Sequence, residues 1–250
     1  MPTRAVAVKN KTRTRSGQAL ELRRMVWQAR AVDLAVVIPT LNAARTLPAT
    51  LGSIGGVPRE IIVADGGSDD DTVGIARRFG CRSVVAPRGR GSQLAAGVAA
   101  AQAPWLLLLH ADTRLAPGWA AEAARHIATH PDKAGYFRFR LDDDAPAARR
   151  LERAVAWRCR VLALPYGDQG LLVAASLLRA VGGIRPIPLL EDVDLVRRLG
   201  RAKLVALESE AVTSAARYRR DGYLRRGARN LALLGLWFAG VPPRLLARLY

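Results

Sequence analysis

Residues 106–119 read LLLLHADTRLAPGW. Four consecutive leucines predict a strand buried on both faces, and that strand runs directly into His110, Asp112 and Thr113. A buried strand holds its terminal residues rigidly, and positions 110 and 112 fall on the same side of an extended chain. The pattern recurs upstream. LAVVIPT (34–40) is a continuous apolar run stopped at Pro39, EIIVADGGSDDDT (60–72) breaks into an acidic glycine turn, and RSVVAP (82–87) is a third run. Helix-like stretches lie between them: ARTLPATLGSI (44–54), TVGIARRFG (72–80) and GSQLAAGVAAAQA (91–103). Alternating strands and helices with short connections predict an α/β fold, a mostly parallel sheet with helices on both faces. In such sheets the ligand sits beyond the carboxyl ends of the strands. Each polar cluster falls at such an end: Pro39 to Asn42, Asp65 to Asp71, Arg88 to Gln93, and His110 to Thr113.

After about residue 134 the rhythm changes. GYFRFRL (135–141) alternates like a half-exposed antiparallel strand, and a helix is expected from about Ala147 to Leu164. PYGDQGLLVAAS (165–176) is a glycine-bounded acidic turn feeding a strand, PLLEDVDLVRRLG (188–200) puts carboxylates at a helix start, KLVALE and EAVTS are two short strands, and basic helix follows. His126 and His130 share a helix face at i, i+4 spacing and read as surface residues.

The chain has 250 residues, half of them hydrophobic, enough for a sizeable core. Its formal net charge of +18 is concentrated at the ends; the first thirty and last thirty-four residues each carry about +7. Such tails suit an anionic surface, membrane lipid or nucleic acid, although the tryptophans show no stacking pattern for single-stranded nucleic acid. Solvated arginine-rich ends are the competing explanation. The basic N-terminus precedes no long apolar run, so no signal peptide is expected, and LALLGLWFAGV (231–241) is too short to span a bilayer. Cys81 and Cys159 make no metal-type pair and read as reduced thiols.

The clusters carry chemistry. Asp65, followed by glycines, suits hydrogen bonding to a ribose or a base N–H, or else shapes an Asx turn. Arg88 and Arg90 before a helix favour phosphate, or form a solvated loop. His110 and Asp112 together can ligate a divalent cation completed by a diphosphate; alternatively Asp112 or Thr113 caps the helix after LAPGW. Glu191, Asp192 and Asp194 crowd one helix start, which raises at least one pKa and suits a general base, or simply compensates the helix dipole. Gly167, Asp168 and Gln169 read acceptor hydroxyls or shape their loop.

Taken in order, VVIPTLN, IIVADGGSDDDT, LLLLHADT in the place of a D-x-D and LLEDVDLVRRL in the place of an E-D motif resemble the family 2 glycosyltransferases of GT-A fold. More narrowly, HADTRLAPGW, PYGDQGLLV, IPLLEDVDLVRRL and the closing GVPPRLLARLY look like the radical-SAM/selenodomain-associated transferase branch. The resemblance covers about residues 33 to 250 and implies a GT-A domain over 32–216, a basic arm over 1–31 and basic amphipathic C-terminal helices over 217–250. It implies inverting transfer of a sugar from a nucleotide-diphosphate sugar, with Mn2+ or Mg2+, to an acceptor that is a lipid phosphate, a metabolite or a glycan. Residue by residue, it implies that Asp192 deprotonates the acceptor with Glu191 beside it and that Asp112, with His110, holds the metal. Pro39, Thr40, Asn42, Asp65, Gly67, Arg88, Arg90, Gln93, Ala111 and Asp112 form the nucleotide-binding set. The expected setting is cytoplasmic, peripheral on the inner face of an anionic membrane, with no nucleic-acid partner.

Three positions depart from the family pattern: Ala43 stands where a glutamate follows PTLN, Ala95 where an asparagine is usual, and His110 where D-x-D begins. Two rivals remain at this level. A nucleotidyltransferase on the same fold would release pyrophosphate, but PTLNAARTL is a poor basic glycine-rich loop. A non-enzymatic binder of anionic lipid or nucleic acid would act through its basic tails.

Overall fold

Residues 32–249 are described by the computed structural model. The basic arm and the helix expected over Leu20 to Ala29 lie outside the described residues. Strand β1 (Val32–Thr40) is the hub, and its side chains alternate between two cores. Leu34, Val36 and Ile38 pack on one side of the sheet, Ala35 and Val37 on the other, as the two-residue period of a strand requires. Parallel partners flank it: β2 (Pro58–Asp65) on one side and β4 (Trp105–Leu108) on the other, with β3 (Arg82–Val85) beyond β2. Leu106, Leu107, Leu108 and Leu109 are all buried, so the predicted two-sided strand is real and His110 follows from a fixed anchor.

Helices α1 (Leu47–Ile54) and α2 (Thr72–Arg78) cover the face with Leu34, together with α4 (Trp119–Thr129). Helix α3 (Arg90–Ala100) covers the opposite face, joined by α5 (Pro146–Leu162), α6 (Ala175–Ala180) and α7 (Glu191–Leu199). Gly97 sits on α3 where it crosses the sheet; a Cβ there would come within 2.4 Å of a Val37 methyl carbon. The glycine lets the helix approach β1 closely.

Beyond β4 the sheet changes character. Its full order is β3-β2-β1-β4-β7-β6-β8-β5, with β7 (Leu171–Ala174) antiparallel to both β4 and β6 (Ala134–Leu141). The parallel half matches expectation, and the other half is mixed. Two sequence expectations are corrected here. KLVALE and EAVTS form one strand, β8 (Leu204–Thr213), whose register against β6 jumps between Tyr136 and Arg138, so a bulge looked like a break. And Thr113–Leu115 is a strand, β5, antiparallel to β8, so Asp112 and Thr113 do not cap a helix. Helix α4 starts later, at Trp119, after the left-handed Gly118. His126 is also not a surface residue: it is 3 % exposed, edge-on to Trp105 at 6.1 Å.

After β8 come α8 (Ala216–Asp221), α9 (Tyr223–Phe238) and α10 (Pro243–Leu249). They do not form a separate domain, because Ala31–Tyr250 is one compact unit. Leu234 packs on Val193 and Val196 of α7, and Leu233 and Leu246 meet Leu189. Among the described residues no helix is long and apolar enough to cross a membrane.

Candidate active site

The ends of β1 and β2 are sewn together by their own polar groups. The Asp65 carboxylate accepts from Thr40 Oγ1 at 2.9 Å, from the Gly67 N–H at 3.0 Å and from the Ser68 N–H at 2.8 Å, with the Ser68 hydroxyl as a fourth donor. Burial pushes the carboxyl up, but these donors outweigh it and hold the Asp65 pKa below the usual range. Asn42, in the left-handed region at φ 52°, accepts the Asp69 N–H at 2.8 Å, and Asp70 accepts the Ala44 N–H at 3.0 Å. The acidic glycine turn therefore shapes the Pro39–Ala44 loop. Pro39, Thr40 and Asn42 line a cleft of about 520 Å³, whereas Asp65 and Gly67 do not line it: they support the Pro39–Ala44 loop through hydrogen bonds.

His110, Ala111 and Asp112 line the same cleft. A smaller chamber of about 120 Å³ shares His110 and Asp112 with it and continues toward Asp168 and Asp192. Sequence-distant contacts fix this junction. The Thr50 hydroxyl donates to Ala111 O at 3.0 Å and the Ser214 N–H to Asp112 O at 3.0 Å. Thr113 and Thr213 hydroxyls meet at 2.8 Å, and Thr213 donates to Asp168 O at 3.0 Å. Thus β5 and β8 bring Asp112 and Asp168 to one place.

Helix α7 supplies the acid pair. It starts after Leu190, a non-glycine residue at φ 62°, the kind of backbone strain that concentrates at functional sites. Glu191 is 2 % exposed and receives Arg90 through two guanidinium nitrogens, while Arg90 also lies 3.8 Å from Asp192 Oδ2. The two carboxylates shift in opposite directions. Burial raises the Glu191 pKa despite Arg90. Burial also works against ionised Asp192, but Arg90, the Gly167 N–H at 2.8 Å, His110 and the Val193 N–H together leave its pKa lowered. Burial, with the neighbouring Asp192 charge a lesser contribution, therefore raises Glu191, while Arg90 and the N–H donors favour the ionised, proton-accepting form of Asp192.

His110 is neutral at ordinary pH. Burial and the Arg90 charge push its pKa down to about 4, against the pull of Asp112 and Asp192. Its Nε2 is buried with no hydrogen-bond partner, and a Cβ on residue 167 would approach it to 2.6 Å, so glycine is required there. Asp168 is raised to about 6, chiefly by burial, with Asp192 and Asp112 adding repulsion. Gln169 is not brought to the chamber: its amide donates to Phe137 O at 3.0 Å and its carbonyl accepts the Tyr166 N–H at 3.2 Å. It holds the 167–169 turn.

The arginines do not sit as the sequence suggested. Arg90 lines the cleft and the chamber, but its guanidinium braces Glu191; Arg88 is exposed and reaches Gly67 O only at 3.5 Å. Gln93 lines the cleft, yet its amide donates to Thr40 O and Ala64 O. The glycine after Arg90 serves packing, since a Cβ at Gly91 would lie 2.5 Å from Ile187 O. The cation missed from the sequence is Arg217 on α8. It lines both cavities beside Asp112 and makes no hydrogen bond or ion pair with a described residue. Only its place directly after the β8 strand end could have flagged it.

The residues present were weighed as a cation site. Among the described residues no group of three or more His, Cys, Asp and Glu side chains is arranged around an ion position. Asp112 offers one carboxylate, and the His110 Nε2 is buried at Gly167. This donor set fits an ion only if a ligand's phosphate oxygens complete the shell.

Known proteins match this architecture. The model of "Glycosyl transferase family 2" matches residues 35–174. An uncharacterised glycosyltransferase of Mycobacterium tuberculosis is 43% identical over 84 residues, which is 33% of this chain and 38% of that protein, so the match spans little more than a third of the relative's length. Among solved structures, Staphylococcus aureus TarS residues 1–349 in complex with UDP-GlcNAc superposes with a TM-score of 0.58 at 16% identity, covering 72% of this chain and 58% of that one. Glucosyl-3-phosphoglycerate synthase from Mycobacterium tuberculosis, in complex with Mn2+, UDP and glucosyl-3-phosphoglycerate, gives 0.50 at 21% identity, covering 76% and 72%.

Proposed function

The chain belongs to glycosyl transferase family 2, and on that premise we propose that it transfers a sugar from a nucleotide-diphosphate sugar to an acceptor hydroxyl, inverting the anomeric centre. The observation that carries this reading is the shared wall at His110 and Asp112, with the larger cleft on one side and ionised Asp192 on the other. The donor takes the larger cleft, its nucleoside against Pro39, Thr40, Asn42 and Ala111, and the acceptor takes the chamber near Gly167 and Asp168. Two solved neighbours hold UDP or a UDP-sugar, which supports a donor of that class.

In the proposed step Asp192 removes the acceptor proton as the acceptor oxygen forms its bond to the anomeric carbon. The bond from that carbon to the diphosphate breaks, and the nucleoside diphosphate leaves with the electron pair. Arg217 lies where it would balance the charge gathering on the leaving group. Asp112 would hold a divalent ion, Mn2+ or Mg2+, which when bound would neutralise part of the same charge. Arg90 holds Glu191 and keeps Asp192 ionised. The protein works in the cytoplasm, peripheral to a membrane.

Calorimetry with uridine, guanosine and thymidine diphosphates, with and without manganese, tests the donor site. We expect one of them to bind at the cleft, and turnover to release nucleoside diphosphate. Release of pyrophosphate would replace this reading with nucleotidyl transfer on the same fold.

A further inference from the structure

Helix α9 has two faces with opposite tasks. At about 100° per residue, Arg226, Asn230 and Leu233 share one side, and all three line the chamber beside Asp192. Leu224, Leu231 and Phe238 recur every seven residues on the other side and are 90 %, 69 % and 49 % exposed. Exposed Ala228 and Ala232 lie between them, so the outer stripe of the helix is apolar. Exposed Leu245 and Leu249 on α10 add to the apolar surface.

The charge around the stripe identifies its occupant. From Gly222 to Tyr250 the sequence holds Arg225, Arg226, Arg229, Arg244 and Arg248 and no aspartate or glutamate. Arg197 of α7 adds another cation, 5.5 Å from the Trp237 ring and 4.9 Å from the Phe238 ring. A second copy docking face to face would set arginine against arginine. An apolar stripe flanked by the exposed Arg197, Arg225, Arg244 and Arg248 instead complements an anionic bilayer, the stripe entering the headgroup region and these four arginines meeting lipid phosphates, whereas Arg226 is buried against Asp221.

The inner side points to what is taken from that bilayer. Three buried polar atoms without hydrogen-bond partners belong to residues lining the one chamber: His110 Nε2, Asp168 Oδ1 and Asn230 Oδ1. Two of them are oxygens that need a donor, which a hydroxylated headgroup supplies.

We propose that α9 lays its outer stripe on an anionic bilayer and that the acceptor in the chamber behind it is the hydroxyl headgroup of a membrane amphiphile. The proposal rests on the transferase reading and names its acceptor class. The full chain is floated with phosphatidylcholine vesicles, with and without phosphatidylglycerol. Binding is expected only to the anionic vesicles, and L224E/L231E should weaken it about tenfold. R244E/R248E should weaken it in a salt-dependent way. Unchanged thermal unfolding and UDP affinity in L224E/L231E would show that the fold and donor site are intact. No anionic preference, or full binding by L224E/L231E, overturns docking; so does a wild-type dimer that L224E/L231E dissociates.

The acceptor is tested with radiolabelled UDP-, GDP- and dTDP-glucose and extracts of the source cells. Label in the lipid phase, lost in L224E/L231E, supports the proposal; label confined to water-soluble products overturns it. Label in neither phase, together with no affinity for any nucleotide diphosphate, defeats the transferase reading instead, and vesicle flotation still decides the docking.

Discussion

At the ends of β1 and β2 the polar side chains answer one another, whereas around the Gly167 turn some are left unanswered. Asp65, Ser68, Asp70 and Asn42 spend their hydrogen bonds on their own loops. At the Gly167 turn, His110 and Asp168 each bury an unpartnered polar atom, and Asp168 and Glu191 are pushed up by burial. Buried polar atoms without partners cost stability, and proteins retain them where a ligand meets them. The first region is preformed, its polar side chains holding its own backbone in place. The second is held in tension by Arg90 and is where chemistry is expected.

The sharpest way to break that contrast is at Asp192. Asp192→Asn should lower turnover by about a thousandfold while nucleotide affinity stays within about twofold. Equal losses in both would mean that Asp192 serves the donor cleft. Next comes the brace. Arg90→Ala leaves Glu191 buried without its cation and should cost about 3 kcal/mol in urea unfolding. Adding Glu191→Gln to Arg90→Ala should restore much of that stability, whereas additive losses would deny that the pair acts as a unit.

A smaller effect separates the two cavities. Arg217→Ala should weaken nucleoside diphosphate binding about tenfold and leave nucleoside binding unchanged in calorimetry. An unchanged diphosphate affinity would return that role to Arg88 or Arg90.

The smallest effect concerns pH. Asp168 binds its proton more tightly folded, with a pKa of about 6, than at its ordinary 3.8. Its contribution therefore favours the folded state at acid pH and is lost as pH rises through about 6. Asp168→Asn should unfold a few degrees higher than the wild type at neutral pH, and the gain should shrink toward pH 4. A gain independent of pH would mean that burial does not govern this carboxylate.

Much of the first region was legible in the sequence, because a buried parallel strand writes itself as an apolar run and its terminal polar residues follow directly. PTLN, DGGSDDD and HAD all stand where strand ends put them. The mixed half was read less well. Thr113–Leu115 is three residues long and owes its strand form to β8, a hundred positions away, so no local pattern marks it. The bulge in β8 concealed a continuous strand, and His126 looked exposed because its partner Trp105 lies on another element. For the arginines, composition gave charge without address: Arg90 turned to Glu191, and Arg217 took the open position.

The sequence by itself determined the parallel half, the family resemblance and the placement of Asp112 and Asp192 at element ends, since apolar period and turn chemistry act between neighbours along the chain. Only the tertiary structure decided which carboxylates burial pushes up, which arginine engages Glu191, and that α9 faces the chamber on one side and solvent on the other. Those outcomes depend on burial and on charges brought together from distant positions, and neither is a property of any single stretch of chain.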